Sequence, residues 1–194
     1  PTPASRGSAA HHAVALSALD PTGWRIASDG SLSGAPDAAE VAAARAAGVP
    51  LMPVATNDAS DGAGAAQLLS DAAAVHRLVA GLVAAAHDLG ATGVNLDMEG
   101  VPGDSRDALS ALVAALADAL HSSGLQLSVD VVPHRPGTVN AASAAYDDAA
   151  IAAHADAVVV MAYDESTSDP GPVAGSDWQA AELAGTLPDL IPSK

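Results

Sequence analysis

The 194-residue chain contains no cysteine and no phenylalanine, and Lys194 is its only lysine. Without cysteine it has no disulfide framework and no thiolate for catalysis or metal binding. Its 7 basic residues stand against 23 acidic ones, for a formal net charge of -16. This charge argues against nucleic acid and anionic membranes as partners, because both attract cationic surfaces. No apolar run reaches the ~20 residues that a membrane span needs.

The length suffices for one domain with a sizeable core. Residues 1–12 are rich in proline, serine, glycine and alanine, which predicts a linker or unpaired N-terminal end, with the domain at residues 13–194. His11 and His12 close this segment, and a surface role is favoured over metal binding because adjacent side chains of an extended chain point apart. The absence of an initiating Met and of a signal peptide predicts a processed or excised piece.

Apolar periodicity predicts strands and helices in alternation. Helices are expected at Asp71–Leu89 and Ser105–Ser122, with shorter ones from Asp37 to Gly48 and from Tyr146 to Ala153. Asn57–Gln67 is expected to be a polar loop. The predicted strands are Ala13–Leu19, Val49–Thr56, 93–100, Leu125–Val132 and Ala157–Tyr163, the last of a kind that is buried on both faces in a parallel sheet. Between the first two, Trp24–Leu32 carries a tight turn at Asp29-Gly30. This order predicts an α/β fold with right-handed crossovers.

The most informative stretch is the strand at residues 93–100. Val94, Leu96 and Met98 alternate with Asn95, Asp97 and Glu99. Side chains alternate between the two faces of a strand, so one face is apolar and the other carries an amide and two carboxyl groups. Such neighbours raise one another's pKa, which can keep a carboxylic acid protonated near neutral pH. The alternative is a strand end with solvated acids.

Other polar residues also fall at the ends of predicted strands: Thr56-Asn57, His134 and Tyr163-Asp164-Glu165. The carboxyl ends of the strands are where a (β/α)8 barrel assembles its active site. The sequence therefore predicts an α/β protein of (β/α)8 barrel type.

The strand at 93–100 resembles the active-site strand of family 18 glycoside hydrolases, the chitinase-like enzymes, whose signature is DxxDxDxE. Asp97 and Glu99 match its last two acids, and Asn95 stands where many members have Asp. The bacterial cell-envelope and spore-coat branch, whose strand often reads GVNIDFE, is the most similar. The resemblance implies that Glu99 is the general acid and that Asp97 supports the acetamido group of the substrate.

A second match is Met161-Ala162-Tyr163-Asp164, which resembles the M-x-Y-D motif on the sixth barrel strand of the family. There the Tyr hydroxyl and the Asp hold the acetamido group as it attacks, which implies a catalytic role for Tyr163. Sugar-binding clefts use aromatic faces, and the chain has only two Trp and two Tyr. The substrate-binding residues implied by the resemblance are Asn57, Asn95, Met161, Asp164 and Trp178.

The resemblance implies a retaining hydrolase of β-linked N-acetylhexosamine glycans, chitin-like or peptidoglycan-like, with N-acetylglucosamine-containing glycan as the partner. The acetamido oxygen of the substrate is the nucleophile in this mechanism, so no metal or cofactor is expected. An extracellular or cell-envelope location is implied. The match covers strands two to six of eight, which predicts an incomplete barrel, inactive as this chain alone, with open edges at Ala13–Leu19 and Ala157–Tyr163.

Three other functions are alternatives to this one. A non-catalytic glycan-binding module would explain missing strands but not the retention of Asp97 and Glu99. A metal-dependent hydrolase could use Asp58, Asp130 and His134, but their spacing matches no metal motif. A dinucleotide site at Gly62-Ala63-Gly64 is disfavoured because the third glycine is missing.

Overall fold

The computed structural model of the protein describes residues 3–12, 15–138 and 140–191. One six-stranded sheet has the spatial order β2-β1-β3-β4-β5-β6. Its strands are β1 (Thr22–Ile26), β2 (Leu32–Ser33), β3 (Val54–Thr56), β4 (Gly93–Asp97), β5 (Gln126–Val131) and β6 (Ala157–Val160). The helices are α1 (Pro3–His12), α2 (Ala38–Ala47), α3 (Gly62–Ser70), α4 (Ala72–Leu89), α5 (Arg106–Ser122), α6 (Asp148–Ala152) and α7 (Ser176–Leu190).

The strand order follows the chain order except at β2, which pairs antiparallel with β1 as a hairpin. From β1 through β3, β4 and β5 to β6, every pairing is parallel. A doubly wound sheet reverses its strand order near the middle, whereas the wall of a (β/α)8 barrel does not. The sheet is therefore part of such a wall, and within the described residues it is not closed, since β2 and β6 each have a single neighbour.

The two faces of the sheet differ in chemistry. Val94, Leu96 and Leu127 are fully buried in the core that helices α3, α4 and α5 share with the sheet. Asn95 is the register partner of Ser128 on β5, and paired residues project to the same side. That opposite, lumenal face carries polar groups, so the helices pack on the apolar face and leave the polar one for a site.

The sequence of α4 explains why this helix forms and packs against the sheet. Its buried residues Ala74, Leu78, Leu82 and Ala86 recur every four positions, which gives one apolar stripe. Asp71 caps its N-terminus, and Gly90 ends it in a left-handed conformation with φ 64°. By length and hydropathy alone, α4 is also the one helix in the described part of the chain that could cross a membrane, which is weak evidence because a core helix passes the same test.

Three predictions about the N-terminal half were wrong. Pro3–His12 forms helix α1, which packs beside α2, where a linker was expected. Ala13 and Val14 lie outside the described residues. The rest of the first predicted strand contributes only an isolated bridge between Leu19 and Leu51, and the edge expected there is formed by the β1–β2 hairpin instead.

The expected loop at Asn57–Gln67 contains the start of helix α3. Gly62 and Gly64 lower helix propensity, and their presence favoured a loop. The Asp61 carboxylate accepts a hydrogen bond from the Gly64 N–H at 2.8 Å, which caps the helix. Burial of Leu68 and Leu69 then stabilises it. Tertiary packing therefore overrides the local preference.

Strand β6 forms the second edge, as predicted, but it is not buried on both faces. Val159 on its lumenal side is 41% exposed. Strand β3 is shorter than the predicted Val49–Thr56, because Pro50 and Pro53 lack the N–H that a regular ladder needs.

The difference between the faces is testable with one substitution on each. Val129→Ala on the helix-covered face should lower the free energy of unfolding by about 2 kcal/mol, because two buried methyl groups are lost and a cavity is left. Val159→Ala on the lumenal face should cost less than about 1 kcal/mol, because that side chain is already partly wet. Chemical denaturation of both variants measures the difference. Equal losses would show that the lumenal face is covered as well.

Candidate active site

The backbone of Glu99 is held in place by a side chain from the neighbouring strand end. The Asn57 Nδ2 donates to the Glu99 carbonyl at 2.8 Å, and the Asn57 Oδ1 accepts from the Glu99 N–H at 2.9 Å. The Tyr146 hydroxyl donates to the Met98 carbonyl at 2.8 Å. Strand β4 itself ends at Asp97. These three bonds hold the backbone of the two residues that follow it, Met98 and Glu99. Glu99 is thereby fixed relative to Asp97.

The two acids shift each other's protonation. Burial raises the pKa of Glu99, and the negative charges of Asp97 and Asp164 raise it further. Burial also raises the pKa of Asp97, while hydrogen bonding to Thr56, the charge of Arg25 and a hydrogen bond with Glu99 oppose that rise. The negative charge of Asp97 therefore favours a proton on Glu99. A carboxylic acid held next to a carboxylate can act as a proton donor.

Asp130 on β5 belongs to the same cluster, although the sequence did not place it there. Burial raises its pKa to about 6, with further increases from Asp97, Asp20 and Glu99 and a decrease from its bond to Asn95. The Asn95 Nδ2 donates to the Asp130 Oδ1 at 2.7 Å and to the Ser128 Oγ at 2.9 Å. An amide at this position can donate to Asp130, where an ionised aspartate could only repel it.

Two clefts meet at Glu99, and each has a volume of 530 Å³. The first lies over β1 and β3, and the second lies between β5, the end of β6 and α7. Glu99 is the residue that lines both. The lining includes Thr22, Arg25, Thr56, Asn57, Asp58 and Asp97 in the first cleft, and Val132, Met161, Tyr163, Asp164 and Trp178 in the second.

Tyr163 extends into the second cleft from the segment after β6, and it is 51% exposed. Burial and the charges of Asp130, Asp97, Glu99 and Asp164 raise its pKa, so its hydroxyl stays a hydrogen-bond donor. Asp164 has φ 64° and is the one non-glycine residue with positive φ in the described ranges. A left-handed backbone is uncommon for such a residue and concentrates at functional sites.

Helix α7 is tied to this segment by a hydrogen bond from the Gln179 Nε2 to the Ala162 carbonyl at 2.9 Å. Its neighbour in the helix, Trp178, thereby keeps its place in the wall of the second cleft. The tie explains how a side chain that is distant along the chain from Tyr163 reaches the same cleft.

Most of the site residues expected from the sequence come together. Those that line a cleft are Asn57, Asp97, Glu99, Met161, Tyr163, Asp164 and Trp178. Asn95 lines neither cleft: it is 2% exposed and supports Asp130 from below. Arg25 was not singled out from the sequence, and Asp130 was considered only as part of a metal site. Ser128, Val129 and Asp130 alternate between polar and apolar side chains in the same way as the residues of β4. That pattern could have indicated that Asp130 lies on the polar face of the sheet.

The metal site considered from the sequence is not formed. Asp58 lines the first cleft, Asp130 bonds to Asn95, and His134 lies against Asp148 and Asp189. The three residues of that hypothesis therefore lie in three different environments.

Comparison with known proteins agrees with this architecture. The model of the family described as "Glycosyl hydrolases family 18" matches residues 51–185. The chain belongs to this family. The family 18 assignment and the (β/α)8 fold class expected from the sequence are thus confirmed. The matched region contains β3 to β6 and the two acids Asp97 and Glu99.

Proteins similar to this family 18 chain are found both by sequence comparison and by structural superposition. The "Uncharacterized glycosylase YvbX" of Bacillus subtilis (strain 168) is 30% identical over 137 residues, which cover 69% of this chain and 40% of that protein. A chitinase from Chromobacterium violaceum superposes with a TM-score of 0.88 at 28% identity, over 97% of this chain and 62% of that one. The spore cortex-lytic enzyme SleL of Bacillus megaterium shares the fold, with a TM-score of 0.89 at 21% identity over 98% of this chain and 45% of that one. The chain thus spans between 40% and 62% of these relatives' lengths.

The raised pKa of Asp130 predicts how the free energy of unfolding depends on pH. The folded pKa of about 6 exceeds the usual 3.8, so the folded state binds more protons between these values. The free energy of unfolding must therefore fall as pH rises from about 4 to about 6, and stay reduced above that. Allowing for partial solvent screening, the loss is about 1–2 kcal/mol. Asp130→Asn should remove this part of the loss, because the amide that replaces the carboxyl group has no charge to bury.

The measurement is denaturant unfolding at pH 4.5 and pH 7.5 for the wild type and the variant. Asp58→Asn is the matched control, because hydrogen bonds to Ser60 lower the pKa of Asp58, so that substitution should not reduce the loss. If wild type and Asp130→Asn lose equal stability between the two pH values, Asp130 is not a strained buried acid.

Proposed function

We propose that the protein hydrolyses β-linked N-acetylhexosamine glycans, chitin-like or peptidoglycan-like, with retention of configuration and with the substrate's own acetamido group as nucleophile. The observation that carries the proposal is the Asp97–Glu99 pair, with the pKa of Glu99 raised and its side chain at the junction of two clefts. A glycan lying across both clefts would place a glycosidic bond beside Glu99. This is the geometry that a general acid requires.

Glu99 protonates the glycosidic oxygen as the bond to C1 breaks. Burial and the charges of Asp97 and Asp164 raise the pKa of Glu99, which favours the protonated form that a general acid needs. The acetamido oxygen of the same sugar attacks C1, which forms an oxazolinium-type intermediate. Glu99, now a carboxylate, takes a proton from the water that opens this intermediate, and configuration at C1 is retained.

Asp97 and Tyr163 orient the acetamido group. The Asp97 side chain lines the first cleft, and its Oδ1 accepts no hydrogen bond from the described residues, so the carboxylate retains acceptor capacity for the amide N–H of the substrate. The protonated Tyr163 hydroxyl can donate to the attacking acetamido oxygen. The Asn95 amide donates to Asp130, the neighbouring acid on β5, whose pKa is raised by burial and by the charge of Asp97. No step calls for a metal or a cofactor.

Trp178, Met161 and Asp164 form the substrate-binding wall of the second cleft. An aromatic face against a sugar ring excludes water and packs on its C–H groups. Polymeric glycans of these kinds lie outside the cytoplasm, so we place the protein in the extracellular space or the cell envelope. Residues 13–194 would be the part of the barrel domain that carries the acid pair.

The role of Glu99 is tested by Glu99→Gln in protein expressed from its complete reading frame. Hydrolysis of an N-acetylated chromogenic oligosaccharide should fall by roughly two to four orders of magnitude, because an amide cannot donate the proton. Glycan binding should persist. Glu165→Gln is the matched control, since the amide oxygen of that variant can still accept the bond that Glu165 accepts from the Gly175 N–H.

Two results contradict the proposal in different ways. Equal turnover by wild type and Glu99→Gln would remove Glu99 from the mechanism. Tight glycan binding by both proteins, with hydrolysis by neither, would favour the non-catalytic glycan-binding module.

The acetamido nucleophile makes a separate prediction about the substrate. Hydrolysis should require an N-acetyl group on the sugar whose C1 is attacked, and a thiazoline analogue of the intermediate should bind more tightly than the substrate, by about 10²-fold or more as expected for such analogues. Initial rates on N-acetylated and de-N-acetylated glycans of equal length test the first point, and competitive inhibition tests the second. Comparable cleavage of both glycans would point instead to an enzyme carboxylate as nucleophile.

A further inference from the structure

We propose that His134, Asp148 and Asp189 form a binding site for one divalent cation, zinc by the chemistry of the donors, at the junction of α6, α7 and the segment after β5. The His134 Nε2 lies 3.3 Å from the Asp148 Oδ2 and 3.8 Å from the Asp189 Oδ2. One donor atom from each residue falls within 4.8 Å of the others. Ligand atoms at about 2.0–2.2 Å from a tetrahedral zinc ion are separated by about 3.3–3.6 Å, so small movements would complete the site.

Asp148 provides the strongest indication of a ligand. Its residue is 3% exposed, and neither carboxylate oxygen accepts a hydrogen bond from the described residues. The Asp148 Oδ2 is at ion-pair distance from the His134 ring, yet the contact does not have hydrogen-bond geometry. Burying a carboxylate without partners is costly. A cation between Asp148 and His134 would remove that cost.

The ring of His134 is oriented for metal binding. Its Nδ1 lies 3.3 Å from the Arg135 carbonyl oxygen, which can only accept a hydrogen bond. If the Nδ1 carries the proton, the Nε2 presents either a second proton or a lone pair to the two carboxylates. A backbone carbonyl on the outer nitrogen is the usual way in which a metal-binding histidine is fixed.

The nearby arginines are engaged with other acids. Arg135 pairs with Glu182 at 2.8 Å, and Arg106 pairs with Asp147 at 3.3 Å. Within the described chain, neither cation is therefore in direct contact with Asp148 or Asp189. The two carboxylates face one imidazole, so a divalent ion would balance the charge.

The backbone around the site is held rigidly. The His134 N–H donates to the Thr186 Oγ1 at 2.9 Å. A Cβ on Gly185 would come within 2.1 Å of the His134 carbonyl oxygen, which shows how closely α7 approaches this segment. Asp189 follows Gly185 by four residues and so lies on the same face of α7. Two of the three ligands are thus positioned before any ion binds.

One imidazole nitrogen and two carboxylate oxygens, with water as a fourth ligand, suit zinc; carboxylates alone would favour magnesium or calcium. The ion would fasten α7, which carries Trp178 in the second cleft, to α6 and to the end of β5. Its role would be structural. The proposal does not depend on the proposed hydrolysis.

The test uses the complete protein with His11→Gln and His12→Gln, so that the adjacent histidines of α1 do not bind zinc. After chelator treatment, isothermal titration with zinc should show one site with a Kd of micromolar or below. At a free zinc concentration about 100-fold above Kd, the melting temperature should rise by about 5–10 °C. X-ray absorption should show one imidazole and oxygen ligands at about 2.0–2.2 Å.

Asp148→Asn and Asp189→Asn should each weaken zinc binding at least 10-fold and abolish the rise in melting temperature. Asp189 is 59% exposed, so its variant should fold like the wild type even if Asp148→Asn does not. His121→Gln is the matched control: the His121 Nε2 pairs with Asp156 at 2.9 Å but has no third ligand among the residues that the structure describes, so binding should be unchanged. Absence of stoichiometric zinc binding, or binding that is unchanged in Asp189→Asn, would show that the cluster is an ion pair only. Tighter binding of manganese than of zinc would overturn the choice of metal.

Discussion

The structure depends on placing two carboxyl groups side by side at the end of a buried strand. Charged groups at such a position are costly because the surroundings cannot solvate them as water does. Burial and the charges of Asp97 and Asp164 raise the pKa of Glu99, which favours a proton there, while Thr56 and Arg25 oppose the rise that burial causes in the pKa of Asp97. The strand can therefore keep a protonated acid and a charged acid as neighbours, which is the condition for acid catalysis.

The sheet makes this arrangement possible by separating its two faces. One face is apolar and is covered by α3, α4 and α5, which provides the free energy that holds the strands in register. The other face is polar, and parallel register aligns Asn95 with Ser128 and Asp97 with Thr56. Asp97 and Asp130 lie on strands, and Glu99 directly follows the end of β4, where the Asn57 side chain holds its backbone. Asn95 shows how the strands cooperate, because its amide bonds to both a hydroxyl and a carboxylate in the next strand.

Helix α7 connects the acid strand to the rest of the cleft. Gln179 bonds to the segment after β6, and Thr186 bonds to the segment after β5. One helix thus positions Trp178 relative to Tyr163 and also approaches His134. Helix α7 therefore contacts both the His134 junction and the wall of the second cleft.

Local patterns were enough to predict much of the fold. The period-2 alternation of β4, the apolar stripes of α4 and α5, and the turn at Asp29-Gly30 each reflect short-range geometry, and each was found where expected. The resemblance of residues 93–100 and 161–164 to family 18 motifs led to the correct family. Elements whose formation depends on distant contacts were missed, as with α3, where the glycines favour a loop and burial of Leu68 and Leu69 decides for a helix.

The sequence by itself determined the α/β class, the family and the acid pair, because periodicity and motif spacing are properties of neighbouring residues. Only the tertiary structure decided that Asp130 lies near Asp97 and Glu99 and that the Asn95 amide donates to Asp130. It also decided that His134 lies outside the acid cluster, beside Asp148 and Asp189. These contacts link residues that the sequence separates by between 14 and 55 positions. Strand register and helix packing bring them together, and no local pattern encodes either.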